Sequence, residues 1–184
     1  MSTNYITQNE LLLSKLVKWY SVTNNLNNML NIINGKSKIS LRIVDWFTTN
    51  YSKKHFINYS ITNNNITRRF NVYNDYKLKL KAYSKRRFDP FCRWDRVTIP
   101  YENVEILTTI GQLNFFKWAL QNNVINYIHN HYSEIEKDMN ARNSTSKRGV
   151  NDKNQLTRKK REELSVSATK QIIKEEVEIT LQFN

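Results

Sequence analysis

The stretch NVYNDYKLKLKAYSKRR, residues 71–87, decides how the chain folds, because two periodicities fit it. Residues 77–81 alternate between lysine and leucine, as a half-exposed strand would. Across the whole stretch, however, apolar positions recur at helical spacing: Tyr73, Tyr76, Leu80 and Tyr83. The stretch is long and meets no breaker before Asp89-Pro90, so we predict a helix. Its exposed side then carries one stripe of three lysines: Lys77, Lys81 and Lys85.

Helical spacing also predicts elements on both sides of this stretch. Upstream we expect a helix over 11–20 with Asn9 as its cap, a second over 26–33 that ends at Asn34-Gly35, and a third that Ser40 caps. Downstream, Thr108 or Thr109 begins a helix that Asn122-Asn123 interrupts, and a further helix continues to about residue 140.

Short alternating runs predict the strands. Residues 56–61 and 66–72 flank a polar turn and suggest a hairpin, residues 96–99 suggest another strand, and residues 177–183 alternate strictly. We therefore predict an α+β fold in which helices pack around a small antiparallel sheet. The domain spans 1–140, a polar basic linker spans 141–162, and the C-terminal segment, 163–184, ends in a strand.

The charge of the chain is concentrated in its middle third. The 184 residues carry 29 Lys and Arg against 16 Asp and Glu, a net charge of +13. Residues 36–100 alone carry +11, whereas residues 101–140 carry −3. Many Asn, Ile, Lys and Tyr residues indicate AT-rich coding, but codon bias would spread lysine evenly. The clustering therefore favours a polyanionic partner.

Basic and aromatic residues interleave in this region, as they do in proteins that hold phosphates and stack on unpaired bases. Tyr83 and Trp94 are the stacking candidates. The phosphate-binding candidates are Arg68, Arg69, Lys77, Lys81, Lys85, Arg86, Arg87, Arg93 and Arg96, together with Arg158, Lys159, Lys160 and Arg161 in the linker. Lys79 belongs to the same basic run but is not among these candidates. The alternatives are a solvated basic surface, or an anionic protein or lipid partner.

Other chemistry has little support in the sequence. Cys92 is the single cysteine, so no intrachain disulfide forms, and we expect a buried thiol. His129 and His131 point apart on a helix and cannot share one ion. Asp75, Asp89 and Asp95 match no nuclease spacing that we can defend. We therefore predict no enzyme, no metal and no cofactor, and no segment is apolar enough to span a bilayer.

Several segments together resemble an uncharacterised protein family of giant nucleocytoplasmic large DNA viruses of the mimivirus kind. They are ISLRIVDWFTTNYSKK (39–54), FNVY (70–73), LKAYSK (80–85), FDPFCR (88–93), GQLNFF (111–116) and KREELS (160–165). The resemblance carries over no catalytic residues. It implies AT-rich coding, no disulfides and a place in the virus factory of the host cytoplasm or in the virion, with the nucleus as an alternative.

From the residues and the resemblance we expect a non-enzymatic nucleic-acid-binding protein that acts in genome packaging, organisation or expression, with DNA favoured over RNA. The alternative is a structural protein of the virion or virus factory. Its basic face and C-terminal strand would then bind a viral protein, the strand by adding to a neighbour's sheet. A metal-dependent nuclease that uses the three aspartates is the third hypothesis. The oligomeric state stays open.

Overall fold

A computed structural model of the chain describes residues 7–22, 24–63, 66–101 and 104–148. The helices are α1 (Gln8–Ser21), α2 (Asn25–Ile33), α3 (Leu41–Trp46), α4 (Ser52–Lys54), α5 (Val72–Arg87), α6 (Ile110–Gln121), α7 (Val124–Asn130) and α8 (Tyr132–Arg148), and a π-helical turn, Phe47–Tyr51, joins α3 to α4. The strands are β1 (Asn58–Asn63), β2 (Ile66–Asn71), β3 (Arg96–Tyr101) and β4 (Val104–Thr109). The predicted α+β class is confirmed.

The predicted small antiparallel sheet is replaced, in the described residues, by two separate two-stranded hairpins. In the first hairpin Tyr59 pairs with Phe70, and in the second Ile99 pairs with Ile106. The return strand of the second hairpin, β4, was not predicted. Its residues nevertheless alternate as a strand should, since Ile106 and Thr108 are buried while Glu105 is exposed.

Side-chain caps fix where the main helices begin. Thr7 and Glu10 form a capping box on α1, in which each backbone N–H donates to the other residue's side chain, over 2.7 and 3.2 Å. The prediction that Asn9 caps this helix was therefore wrong by two positions. The predicted caps Ser40 and Thr109 are confirmed, because their hydroxyls accept from the backbone N–H three residues on.

Helix α6 runs through the centre of the core. Leu113, Phe115 and Phe116 on it are fully buried, and each such side chain contributes about 1.5–3 kcal/mol by leaving water. The hydroxyl of Tyr20 on α1 donates to the Leu113 carbonyl over 2.8 Å, and the buried ring of Phe88 lies 5.7 Å from that of Phe115. Helices α1 and α5 are thereby held on two sides of α6.

The predicted helix at 71–87 is confirmed as α5, with one break near its end. Asn71 accepts from the backbone N–H of Asn74 at the start. Ser84 has φ 65° and ψ 166°, which lies in the left-handed half of backbone space and is not helical. The last residues of α5 therefore leave the axis that the first twelve follow.

The described residues include only part of the C-terminal region for which predictions were made. Helix α8 continues to Arg148, so the predicted domain end at 140 falls inside a helix. The rest of the linker and the predicted strand over 177–183 lie outside the described residues. Within the described ranges, no helix combines the length and apolar character that crossing a membrane requires.

Candidate nucleic-acid interface

A cleft of about 630 Å³ opens where α1, α5 and α6 meet, and we call it the basic cleft. Four cationic side chains line it, and each comes from a different element: Lys15 from α1, Arg68 from β2, Lys79 from α5 and Lys117 from α6. Only one carboxylate, that of Asp75, is among the residues that line it. Among the described side chains, none of the four cations forms a salt bridge with a carboxylate.

The single carboxylate of the cleft already has a partner. Trp118 Nε1 donates to Asp75 Oδ1 over 2.6 Å, which ties α6 to α5 across the cleft floor. A hydrogen bond to a charged acceptor is stronger than one between neutral groups, so this contact holds Asp75 in place. Because the indole is neutral, it leaves the charge of Asp75 uncompensated, and four positive charges face one negative charge.

Arg68 is held rigidly by neutral groups. Its Nη2 donates to Asn122 Oδ1 over 2.8 Å, and its guanidinium lies 5.6 Å from the ring centroid of Phe70. Asn122 is itself buried and fixed, since its amide donates to the Trp118 carbonyl and its own carbonyl accepts from Tyr59. The guanidinium is positioned in advance while its charge stays available to an anion.

The pKa of Lys117 reflects the positive charge of a neighbouring lysine in the cleft. Partial burial, and then the positive charge of Lys15, lower the pKa of the Lys117 ammonium. A like charge has this effect only when the two groups lie close together. An anion bound between Lys15 and Lys117 would offset their repulsion, which makes the pair suitable for a phosphate group.

Tyr83 lines the basic cleft, but it is less open than the stacking prediction assumed. Its ring stacks on that of Phe88, with centroids 6.0 Å apart and planes 19° from parallel. Phe88 is fully buried, so one face of Tyr83 belongs to the core. The edge and the outer part of the ring remain for a ligand.

The predicted lysine stripe of α5 does not face the cleft. Lys77 and Lys81 are each two positions from Lys79, the residue of α5 that lines the cleft, so they lie roughly 200° around the helix from it. Both are exposed. Lys85 does not continue this stripe, because the break at Ser84 intervenes. We call the surface that Lys77 and Lys81 form the outer face of α5.

The charge of Lys85 also acts on a carboxylate of this molecule. Burial, and then the charge of Asp89, raise the pKa of the Asp45 carboxyl to about 6, and the charge of Lys85 opposes that rise. Part of the Lys85 charge therefore acts inside the molecule. Lys85 is exposed and stays a predicted phosphate contact outside the basic cleft.

The remaining predicted residues are divided among several places. Arg69 and Arg93 are exposed, Arg96 begins β3, and none of the three lines the basic cleft. The structure does bring Arg86, Arg87 and Trp94 together around a second, smaller cavity. Four predicted residues lie outside the described part of the chain: Arg158, Lys159, Lys160 and Arg161.

The residues of the nuclease hypothesis lie in different surroundings. Asp75 lines the basic cleft, Asp95 lines the second cavity, and Asp89 accepts from the backbone N–H of Phe91 over 2.8 Å. His131 Nδ1 lies 3.8 Å from Glu134. Within the described ranges, no group of three or more potential ligands could hold a metal ion. Cys92, predicted to be buried, is half-buried.

Sequence reasoning did not select several residues of the basic cleft, among them Lys15, Lys117 and Asn122, and it treated Lys79 only as part of the basic run. Lys15 and Lys117 lie on helices outside the basic middle third, where nothing marks a single lysine as functional. In the sequence, Asn122 was interpreted only as a helix breaker. Its hydrogen bond with Arg68 joins positions 54 residues apart, so no local pattern indicates it. Only the packing of α1 and α6 against α5 brings these residues together.

The fold and the cleft define a small basic α+β protein whose cationic side chains converge from three helices and one hairpin. The chain belongs to the family of unknown function DUF7197, which matches residues 2–184. It is 48% identical over 117 residues to an uncharacterized protein of Acanthamoeba polyphaga mimivirus, a match that covers 60% of this chain and 45% of the mimivirus protein. The chain thus matches less than half the length of that relative.

These comparisons confirm the predicted resemblance to a giant-virus family, and they support a viral origin. No solved structure matches the chain.

Proposed function

We propose that this chain is a non-enzymatic nucleic-acid-binding protein of a large DNA virus, that it acts in genome packaging, organisation or expression, and that it binds DNA in preference to RNA. One observation carries the proposal: four cations from four elements line one cleft together with a single carboxylate. A fold gains little by holding like charges together, since they repel one another. An external polyanion would offset that cost.

The surroundings of the cleft favour an extended polyanion over a small one. The cleft is open to solvent, and the exposed Lys77 and Lys81 continue positive charge around α5. A chain of phosphates can contact both regions, whereas a single phosphate can contact only one. If four phosphates are neutralised, log K falls against log salt with a slope of about −3.6 on duplex DNA and about −2.8 on a single strand.

The proposal assigns no reaction to the site. The three aspartates that could have held a catalytic metal lie in separate surroundings in the described part of the chain.

The test is a salt titration of binding to labelled single-stranded DNA, duplex DNA and RNA of one length. The same titration is run on the double variant Lys15→Gln with Lys117→Gln, and on a control with equal net charge, Lys36→Gln with Lys137→Gln. Lys36 and Lys137 are exposed and lie outside the cleft.

We expect the cleft variant to lower affinity by about tenfold or more and to reduce the salt slope by about 2, while the control changes each only slightly. The preference among the three nucleic acids identifies the partner. Equal losses in the two variants, or weak binding to all three forms that vanishes near physiological salt, would overturn the proposal.

A further inference from the structure

A second cavity, of about 290 Å³, lies where the first turn of α1, the break in α5 and the start of α6 meet. Its polar and aromatic lining consists of Asn9, Ser84, Arg86, Arg87, Trp94 and Asp95. We call it the Trp94 cavity. The basic cleft and the Trp94 cavity share no lining residue, but both border the same stretch of α5.

Arg86 and Trp94, which both line this cavity, form a stacked pair. The Arg86 guanidinium carbon lies 3.8 Å from the centroid of the Trp94 ring, which is stacking distance. Trp94 keeps 50% of its surface exposed, an unusual fraction for the largest apolar side chain. Unpaired bases stack on indole rings and on guanidinium planes alike.

The edge of the cavity offers unused hydrogen-bond acceptors. Asn9 Oδ1 is buried, and it has no donor. A buried acceptor without a partner costs about 1–3 kcal/mol, so a ligand that brings an N–H to this atom gains stability. The carboxylate of Asp95 adds acceptors in the same cavity, and Arg87, whose Nη1 donates to Gln8 Oε1 over 3.2 Å, keeps further donors.

The backbone around the cavity is strained. Ser84, with φ 65° and ψ 166°, occupies a region that is otherwise almost restricted to glycine and costs about 1–3 kcal/mol. This break lies two residues before Arg86 and three before Arg87, and both arginines line the cavity.

We propose that the Trp94 cavity binds one unpaired base of the nucleic acid. The base stacks on the outer face of the Trp94 and Arg86 pair, and its exocyclic amino group donates to Asn9 Oδ1. The inference rests on the proposed function, and it names a single strand as the preferred partner. Adenine, cytosine and guanine carry an exocyclic amino group and thymine does not, so the cavity favours those three bases over thymine.

The test measures the affinity of oligo(dA), oligo(dC), oligo(dT) and a duplex of one length for four proteins: the wild type, Trp94→Leu, Asn9→Leu and the control Phe56→Leu. Phe56 is an exposed aromatic residue outside both cavities. Thermal unfolding establishes that each variant is folded.

We expect Trp94→Leu to lower affinity for the single strands by about tenfold, the size of one lost base stack, with duplex affinity and salt slope unchanged. Asn9→Leu should abolish the preference for oligo(dA) and oligo(dC) over oligo(dT) while affinity for oligo(dT) stays the same. Phe56→Leu should match the wild type.

The possible failures are distinguishable. If the wild type binds none of the nucleic acids, the proposed function itself is wrong. If the wild type binds with a steep salt slope but Trp94→Leu and Asn9→Leu behave like Phe56→Leu, only the base-binding inference is overturned. Displacement of the oligomer by micromolar free mononucleotide would also overturn it, because the cavity would then serve a free nucleotide.

Discussion

The two sides of helix α5 carry the same residue type in different surroundings. On the outer face, Lys77 and Lys81 are exposed, and neither residue lines the basic cleft or the Trp94 cavity. On the cleft side, Lys79 lines a cavity together with Lys15, Arg68 and Lys117. The comparison teaches that local sequence charge identifies a basic segment, whereas convergence of charge from several elements identifies a site.

The largest expected effect comes from reversing the charge of one lysine on each side of α5. Lys79→Glu should weaken nucleic-acid binding by about 30-fold, equivalent to about 2 kcal/mol, because it places an anion among three cations and the bound phosphates. Lys81→Glu changes the net charge equally from the same helix and should cost only about threefold. The measurement is the dissociation constant at one fixed salt concentration, with the free energy of unfolding as the control for folding.

This pair of variants separates two explanations of binding. If overall charge alone attracted the nucleic acid, both reversals would have the same effect. A larger loss from Lys81→Glu than from Lys79→Glu would transfer the binding site to the outer face and contradict the assignment of the cleft.

A smaller effect, on the stability of the fold, is expected at Asp45. The pKa of the Asp45 carboxyl is raised to about 6, against an ordinary value of 3.8. The folded state therefore holds this proton more tightly than the unfolded state, and the free energy of unfolding falls as the pH rises from about 4 to about 6. The penalty is fully present above pH 6.

Asp45→Asn should remove that penalty. We expect the variant to be more stable than the wild type by about 1–2 kcal/mol at pH 7.5 and about equal to it near pH 3.5. Urea unfolding at a series of pH values checks this. A constant difference between the two proteins across the series would show that Asp45 does not titrate in this window.

The fold was more predictable than the site, and the reason is the range over which each signal acts. The helix at 71–87 and the caps at Ser40 and Thr109 depend on neighbours within a few residues, so the sequence displays them directly. The break at Ser84 left no such signal, because a serine with positive φ is held there by surrounding structure and not by its own preference.

The site depends on contacts between distant positions. Arg68 was predicted from its place in a basic run, but its fixed orientation comes from Asn122, and its companions come from α1 and α6. Lys85 shows the converse, since a helical repeat placed it in a stripe with Lys77 and Lys81, and the break at Ser84 interrupts that stripe. Charge can be counted in a sequence, whereas the partner of each charge is decided by tertiary packing.

The smallest expected effect concerns the one carboxylate of the cleft. Asp75→Asn keeps an oxygen that can accept from Trp118 Nε1 while it removes the negative charge. Affinity for nucleic acid should rise about threefold, or about 0.7 kcal/mol, because phosphates no longer approach a carboxylate. Stability should fall by about 1 kcal/mol, since the indole then donates to a neutral acceptor.

Glu105→Gln provides the matched control, because Glu105 is exposed on β4, outside the cleft, and its substitution changes the net charge equally. Overall charge would act alike in both variants, whereas the local field of the cleft acts only in Asp75→Asn. A threefold gain in Asp75→Asn with no gain in Glu105→Gln therefore assigns binding to the cleft. Equal gains would mean that the polyanion responds to net charge, and the difference between the two sides of α5 would have no bearing on binding.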